Sequence, residues 1–64
     1  MTLIDLIKTM DDDEKVYIIL NDGKSVHGEL DKVMPELTEA DLNKVVLQVW
    51  YSRVYNAITI GVDE

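Results

Sequence analysis

A single small α+β domain is predicted: an N-terminal helix, then a curved, mainly antiparallel four-stranded sheet built from two hairpins, with a short helical turn between them. Three observations in the 64-residue chain carry this prediction. Capping-box spacing precedes an apolar helical stripe at the N-terminus. Asn21-Asp22-Gly23 separates two runs of strand-forming residues, and two alternating apolar runs flank Ser52-Arg53.

The elements follow in order. Thr2 and Asp5 have the capping-box spacing, with Asp in place of the usual Glu, and Leu3, Leu6, Ile7 and Met10 then share one helical face. Asp11-Asp12-Asp13-Glu14 ends that helix, because acidic side chains oppose the negative end of the helix dipole. Val16 to Leu20 is β-branched and aromatic, Asn21-Asp22-Gly23 is a turn, and Lys24 to Leu30 alternates as the second strand of a hairpin. A three-residue loop with Gly23 in the left-handed region pairs Ile18 with Val26 and Val16 with Gly28, which gathers Val16, Ile18, Leu20, Val26 and Leu30 on one face. Pro35 marks a break. Thr38 and Asp41 repeat the capping-box spacing, with Leu37 and Leu42 placed as a hydrophobic staple, so one short helical turn is expected there. Val45, Leu47 and Val49 then alternate with Val46, Gln48 and Trp50, and a last strand sets Ile58, Ile60 and Val62 on one face.

An apolar fraction of 47% is that of a packed domain. A domain of this size buries only roughly 60% of the surface of its unfolded chain, and its core supplies no more than ~3–5 kcal/mol of net stability. There is no cysteine to staple it, so self-association, as a dimer or larger homo-oligomer, is the expected remedy. No apolar run approaches the roughly 20 residues that span a bilayer, and no basic region precedes an apolar stretch. A cytoplasmic protein without membrane contact is the expectation.

Thirteen Asp and Glu against six Lys and Arg give a net charge of −7, spread over both halves. Nucleic-acid affinity comes largely from cations that displace counterions, so direct nucleic-acid binding is disfavoured. The carboxylates fall in three patches: Asp11, Asp12, Asp13 and Glu14; then Glu36, Glu39 and Asp41; then Asp63 and Glu64. Two readings of them stay open. One is a solvated surface that keeps a small domain soluble. The other is a mimic of nucleic acid, with carboxylates at phosphate-like intervals occupying the basic groove of a partner protein.

Catalytic and cofactor chemistry find no support in the residues. His27 is the only histidine and is expected on the outer face beside Tyr17, and Ser25 and Ser52 lack an independent base and orienting acid. There is no nucleophile elbow, zinc-protease motif or phosphate-binding glycine loop. The acidic run fails as a calcium loop, since Val16 stands where such a loop needs glycine and Asp22 where it needs glutamate, so no metal is assigned. Trp50, Arg53 and Tyr55 at the tip of the last hairpin are residue types that dominate binding hot spots, and are the candidate anchor. Whether Trp50 and Tyr51 lie outside or within the core is open at this level.

The stretch Val16 to Met34, VYIILNDGKSVHGELDKVM, resembles the first motif of Sm and LSm proteins, and RVYNAITI from Arg53 to Ile60 resembles their second. That resemblance implies a small barrel assembled into an RNA-binding or structural ring. Val54 replaces the motif's glycine and Pro35 stands where its RNA-contacting asparagine is expected, so RNA binding does not carry over. Over its full length, with a leading TLIDLIKTM helix, an acidic loop and a final ITIGV strand, the chain is similar to small acidic proteins of phages and mobile elements. Among these are anti-CRISPR proteins. That likeness implies an inhibitor of a host nucleic-acid-binding defence protein.

Overall fold

The computed structural model describes residues 1–21 and 23–63; Asp22 of the predicted turn and Glu64 of the third acidic patch lie outside them. Helix α1 spans Leu3–Ile7, strand β1 Lys15–Asn21 and strand β2 Lys24–Glu29. Helix α2 (Leu30–Val33) leads into a 3-10 turn at Met34–Glu36, then helix α3 (Glu39–Leu42) and strands β3 (Val46–Ser52) and β4 (Ala57–Val62). This is the α+β class that the sequence predicts.

Both capping boxes form. Thr2 Oγ1 accepts from the Asp5 amide and the Asp5 carboxylate accepts from the Thr2 amide, and Thr38 and Asp41 repeat the exchange ahead of α3. Each box satisfies amides that the first helical turn leaves without partners. The hairpin register is the predicted one, with Ile18 opposite Val26 and Val16 opposite Gly28, and Gly23 takes a φ of 71° in the turn; the predicted three-residue loop is not kept, because the register shifts between Ile19 and Asn21 and Asn21 pairs with Lys24.

The second strand ends earlier than the alternation predicts. Gly28 adopts a φ of 141° while still paired with Val16, the ladder ends one residue later at Glu29 opposite Lys15, and Leu30 opens α2 in place of closing the strand. Leu30 is buried nonetheless, from the helix layer. Pro35 likewise sits inside the 3-10 turn, at its start, where a missing amide hydrogen costs nothing.

The sheet order is β2-β1-β4-β3, an open mixed sheet with β2 and β3 at its edges and not a closed barrel. The β1–β2 and β3–β4 pairings are antiparallel, while β1 and β4 run parallel at the centre, with Val16 opposite Ile58 and Ile18 opposite Ile60. The helices lie on one face only. There Leu3 and Ile7 of α1, Leu30 and Val33 of α2, and Leu37 close over Val16, Ile18, Leu20, Ile60 and Val62. At ~1.5–3 kcal/mol for each fully buried aliphatic side chain, this cluster is what offsets the chain's conformational entropy.

Strand β3 departs from the predicted alternation. Its register against β4 shifts between Val46 and Gln48, so Leu47 is an extra residue that opposes no partner. From Gln48 onward the faces are reset: Trp50 stands opposite Thr59 on the face without helices, and Tyr51 stands opposite Ile58 at the uncovered margin of the helix-bearing face. Tyr51 is therefore 59% exposed and outside the core.

Candidate partner-binding site

The helix-free face of the sheet presents alternate residues of all four strands. Cross-strand pairing lines up His27 of β2, Tyr17 of β1, Thr59 of β4 and Trp50 of β3 in one row. Central β4 contributes small residues to this face, Ala57, Thr59 and Gly61, and the large rings of its neighbours lie over them. A Cβ built on Gly61 would stand 3.9 Å from Trp50 Cζ3, which places the indole across the glycine. Thr59 is buried under this layer, and its hydroxyl has no hydrogen-bond partner among the described residues.

Tyr55 joins the row from the β3–β4 turn. Its amide donates to Ser52 Oγ at 3.3 Å, Asn56 closes the turn with a φ of 51°, and the Tyr51 hydroxyl donates to Asn56 Oδ1. Those contacts fold the turn back so that the Tyr55 ring meets Tyr17 edge to face, with centroids 4.6 Å apart. His27 completes the group at 5.7 Å from Tyr17 and 5.8 Å from Tyr55. Such tilted pairs place ring edges against π faces, the arrangement aromatic quadrupoles favour. His27 and Tyr17 lie together as the sequence predicts, whereas their union with Tyr55 depends on where β4 pairs and has no local signal.

The acidic residues divide between the two ends of the sheet. Because β1 and β4 are parallel, the loop that enters β1 and the turn that enters β4 lie at the same end. The entering loop carries exposed Asp11, Asp12 and Asp13 and half-buried Glu14, and the turn carries Arg53 and Tyr55. The loop is pinned by backbone bonds: the Leu30 amide donates to the Glu14 carbonyl at 2.8 Å and the Asp31 amide to the Asp12 carbonyl at 3.0 Å. Glu29 and Asp31 add to the negative charge there. Thus Asp11, Asp12, Asp13, Glu14, Arg53 and Tyr55 share one end of the sheet, with Trp50 on the helix-free face.

Glu36, Glu39 and Asp41 stand apart from them. Glu36 is exposed in the 3-10 turn on the helix-bearing side, and Glu39 lies on α3 at the far end of a seven-residue β1 that spans roughly 20 Å. Asp41 is buried and serves the fold. Its carboxylate accepts from the Thr38 amide at 3.1 Å and lies 3.5 Å from Lys24 Nζ and 3.7 Å from Lys44 Nζ. The Thr38 backbone hydrogen bond, with smaller help from the Thr38 hydroxyl and the two lysines, holds the Asp41 pKa below the ordinary carboxylate value against the opposing effect of burial.

Among the described residues no group of three or more His, Asp or Glu is arranged to hold a metal ion, and no helix is long and apolar enough to cross a membrane. Comparison with known proteins finds no match to a family model, a curated protein or a solved structure.

Proposed function

We propose that this chain is a binding protein with no reaction of its own, an anti-defence inhibitor of the phage type that occupies the basic groove of a nucleic-acid-binding host protein. The observation that supports this reading best is the parallel pairing of β1 with β4, which sets the Asp11–Glu14 loop beside the Arg53–Tyr55 turn. Carboxylates at that end supply attraction and orientation toward cationic partners, and the aromatic row of Tyr17, Tyr55 and Trp50, solvent-exposed at Tyr55 and Trp50, supplies short-range affinity when a partner covers it. His27, clasped by two tyrosine rings, is a contact residue in this scheme and not a base.

The reading is tested by competition. A labelled oligonucleotide bound to a candidate host effector is titrated with the chain, and with a variant carrying Asp11→Ser, Asp12→Ser and Asp13→Ser. Displacement by the parent chain that weakens with salt, and a variant that displaces poorly with a flatter salt dependence, is the expected result. Equal displacement by both chains would remove the acidic loop from the mechanism.

A further inference from the structure

We infer that the free edge of β3 is a self-association site, at which a second copy of this chain adds its own β3 antiparallel to extend the sheet. The proposal stands independently of the inhibitor reading. As an edge strand, β3 points the amides and carbonyls of alternate residues away from β4, where they need partners. Its first residues are already occupied, since the Val46 amide donates to the Met1 carbonyl at 2.9 Å and Leu3 donates to the Lys44 carbonyl at 2.8 Å. The unoccupied stretch is Gln48 to Ser52.

Soluble edge strands are commonly guarded by charge, proline or extreme shortness. Residues 45–52 hold neither a charged side chain nor a proline, in a chain whose net charge is −7. They are apolar on both faces: Val45, Leu47, Val49, Trp50 and Tyr51 are 48%, 64%, 50%, 43% and 59% exposed. The helix layer stops short of them, leaving Val49 and Tyr51 uncovered on the side that elsewhere forms the core.

A second copy fits this edge better than a strand of different chemistry. Antiparallel pairing centred on Trp50 sets Val49 of each copy against Tyr51 of the other and Gln48 against Ser52, so each apolar side chain meets an apolar one. The acidic loop at Asp11–Glu14 leads into β1, two strands away from this edge. A standard interface needs about 800 Å² from each partner. That is about a fifth of the 4181 Å² surface of this chain and more than residues 48–52 alone can bury, so the pairing describes a weak, concentration-dependent dimer. The two-fold axis would stand normal to the sheet, so both aromatic rows would face the same way and a bivalent target could meet them together.

Sedimentation equilibrium of the full chain over a range of concentration tests this. The expected mass rises from 7.3 kDa toward twice that value, and Val49→Lys, which sets an ammonium group against Tyr51 of the other copy and two like charges diagonally across the axis, raises the dissociation constant at least about tenfold. Amide exchange of the parent chain at residues 48–52 is expected to slow as concentration rises, a readout that holds even if Val49→Lys fails to fold. A parent chain that stays at 7.3 kDa, or exchange at 48–52 that ignores concentration, overturns the proposal.

Discussion

Replacing Asp41 with Ala separates a carboxylate that holds the fold from those free to meet a partner. The variant loses the acceptor for the Thr38 amide at 3.1 Å, worth about 1 kcal/mol as a helix cap. It also strands Lys44, which is only 16% exposed and keeps just a 3.5 Å bond to the Leu20 carbonyl. The contact with Lys24 adds little, because that lysine is 49% exposed and its pair is screened by water. A loss of about 1.5–3 kcal/mol follows, close to half of what a core of this size supplies. Asp41→Asn keeps an acceptor and forfeits only the charge, so it should lose less, about 0.5–1.5 kcal/mol.

Urea denaturation followed by circular dichroism reads both variants, and pH supplies a second axis. The folded-state pKa of Asp41 lies below its unfolded value, so the carboxylate contributes stability above the unfolded pKa and loses it as pH falls through the folded one. The parent chain should therefore weaken below about pH 4, and Asp41→Ala should follow a flatter profile in that window. Asp5, lowered first by the Thr2 backbone hydrogen bond, acts with the same sign. A loss under about 0.5 kcal/mol for Asp41→Ala, typical of an unremarkable surface site, would refute a structural role for this residue.

Two further substitutions probe the faces of the sheet. Thr59→Val keeps the shape of a buried side chain and removes a hydroxyl without a partner among the described residues, so stability should hold or rise by up to about 1 kcal/mol; a thermal melt showing clear loss would mean the hydroxyl is bonded. Gly28→Ala should cost about 1–3 kcal/mol through backbone strain at a φ of 141°, since its Cβ would meet only Val33 Cγ2 at 3.9 Å, an ordinary contact. Urea midpoints matching the parent's would show that the backbone at Gly28 tolerates a side chain.

What the sequence discloses is mostly local. Capping spacing at Thr2 and Thr38 and the hairpin pairing around Gly23 each fix a structure through neighbours a few residues away; both boxes and the register of Val16 and Ile18 form as predicted, while the loop itself closes between Asn21 and Lys24. The spacing of Leu30, Val33, Met34 and Leu37 carries a helical signal too, but the period-two pattern from Lys24 runs into it, and the change falls between Glu29 and Leu30 with no proline or turn residue at the boundary. The bulge at Leu47 has no turn residue to announce it, which is why the placement of Trp50 and Tyr51 stays open without the structure.

The candidate site is less legible for a different reason. Nothing near Tyr17 or Tyr55 encodes that β4 inserts beside β1. That pairing is a long-range choice that covers β4 on both faces, with Ile58, Ile60 and Val62 toward the helices and Ala57, Thr59 and Gly61 under the rings of neighbouring strands. It alone unites the acidic loop with the aromatic turn, and it separates Glu39 and Asp41 from them.

The most direct measurement is a residue-resolved NMR titration of the isotope-labelled chain with an arginine-rich peptide at low salt. Shift changes centred on residues 11–14, 17, 27, 50 and 53–55, with residues 36–42 spared, are the predicted result. Changes centred on residues 36–42, or none at all, would contradict the assignment of partner binding to the acidic, aromatic end of the sheet.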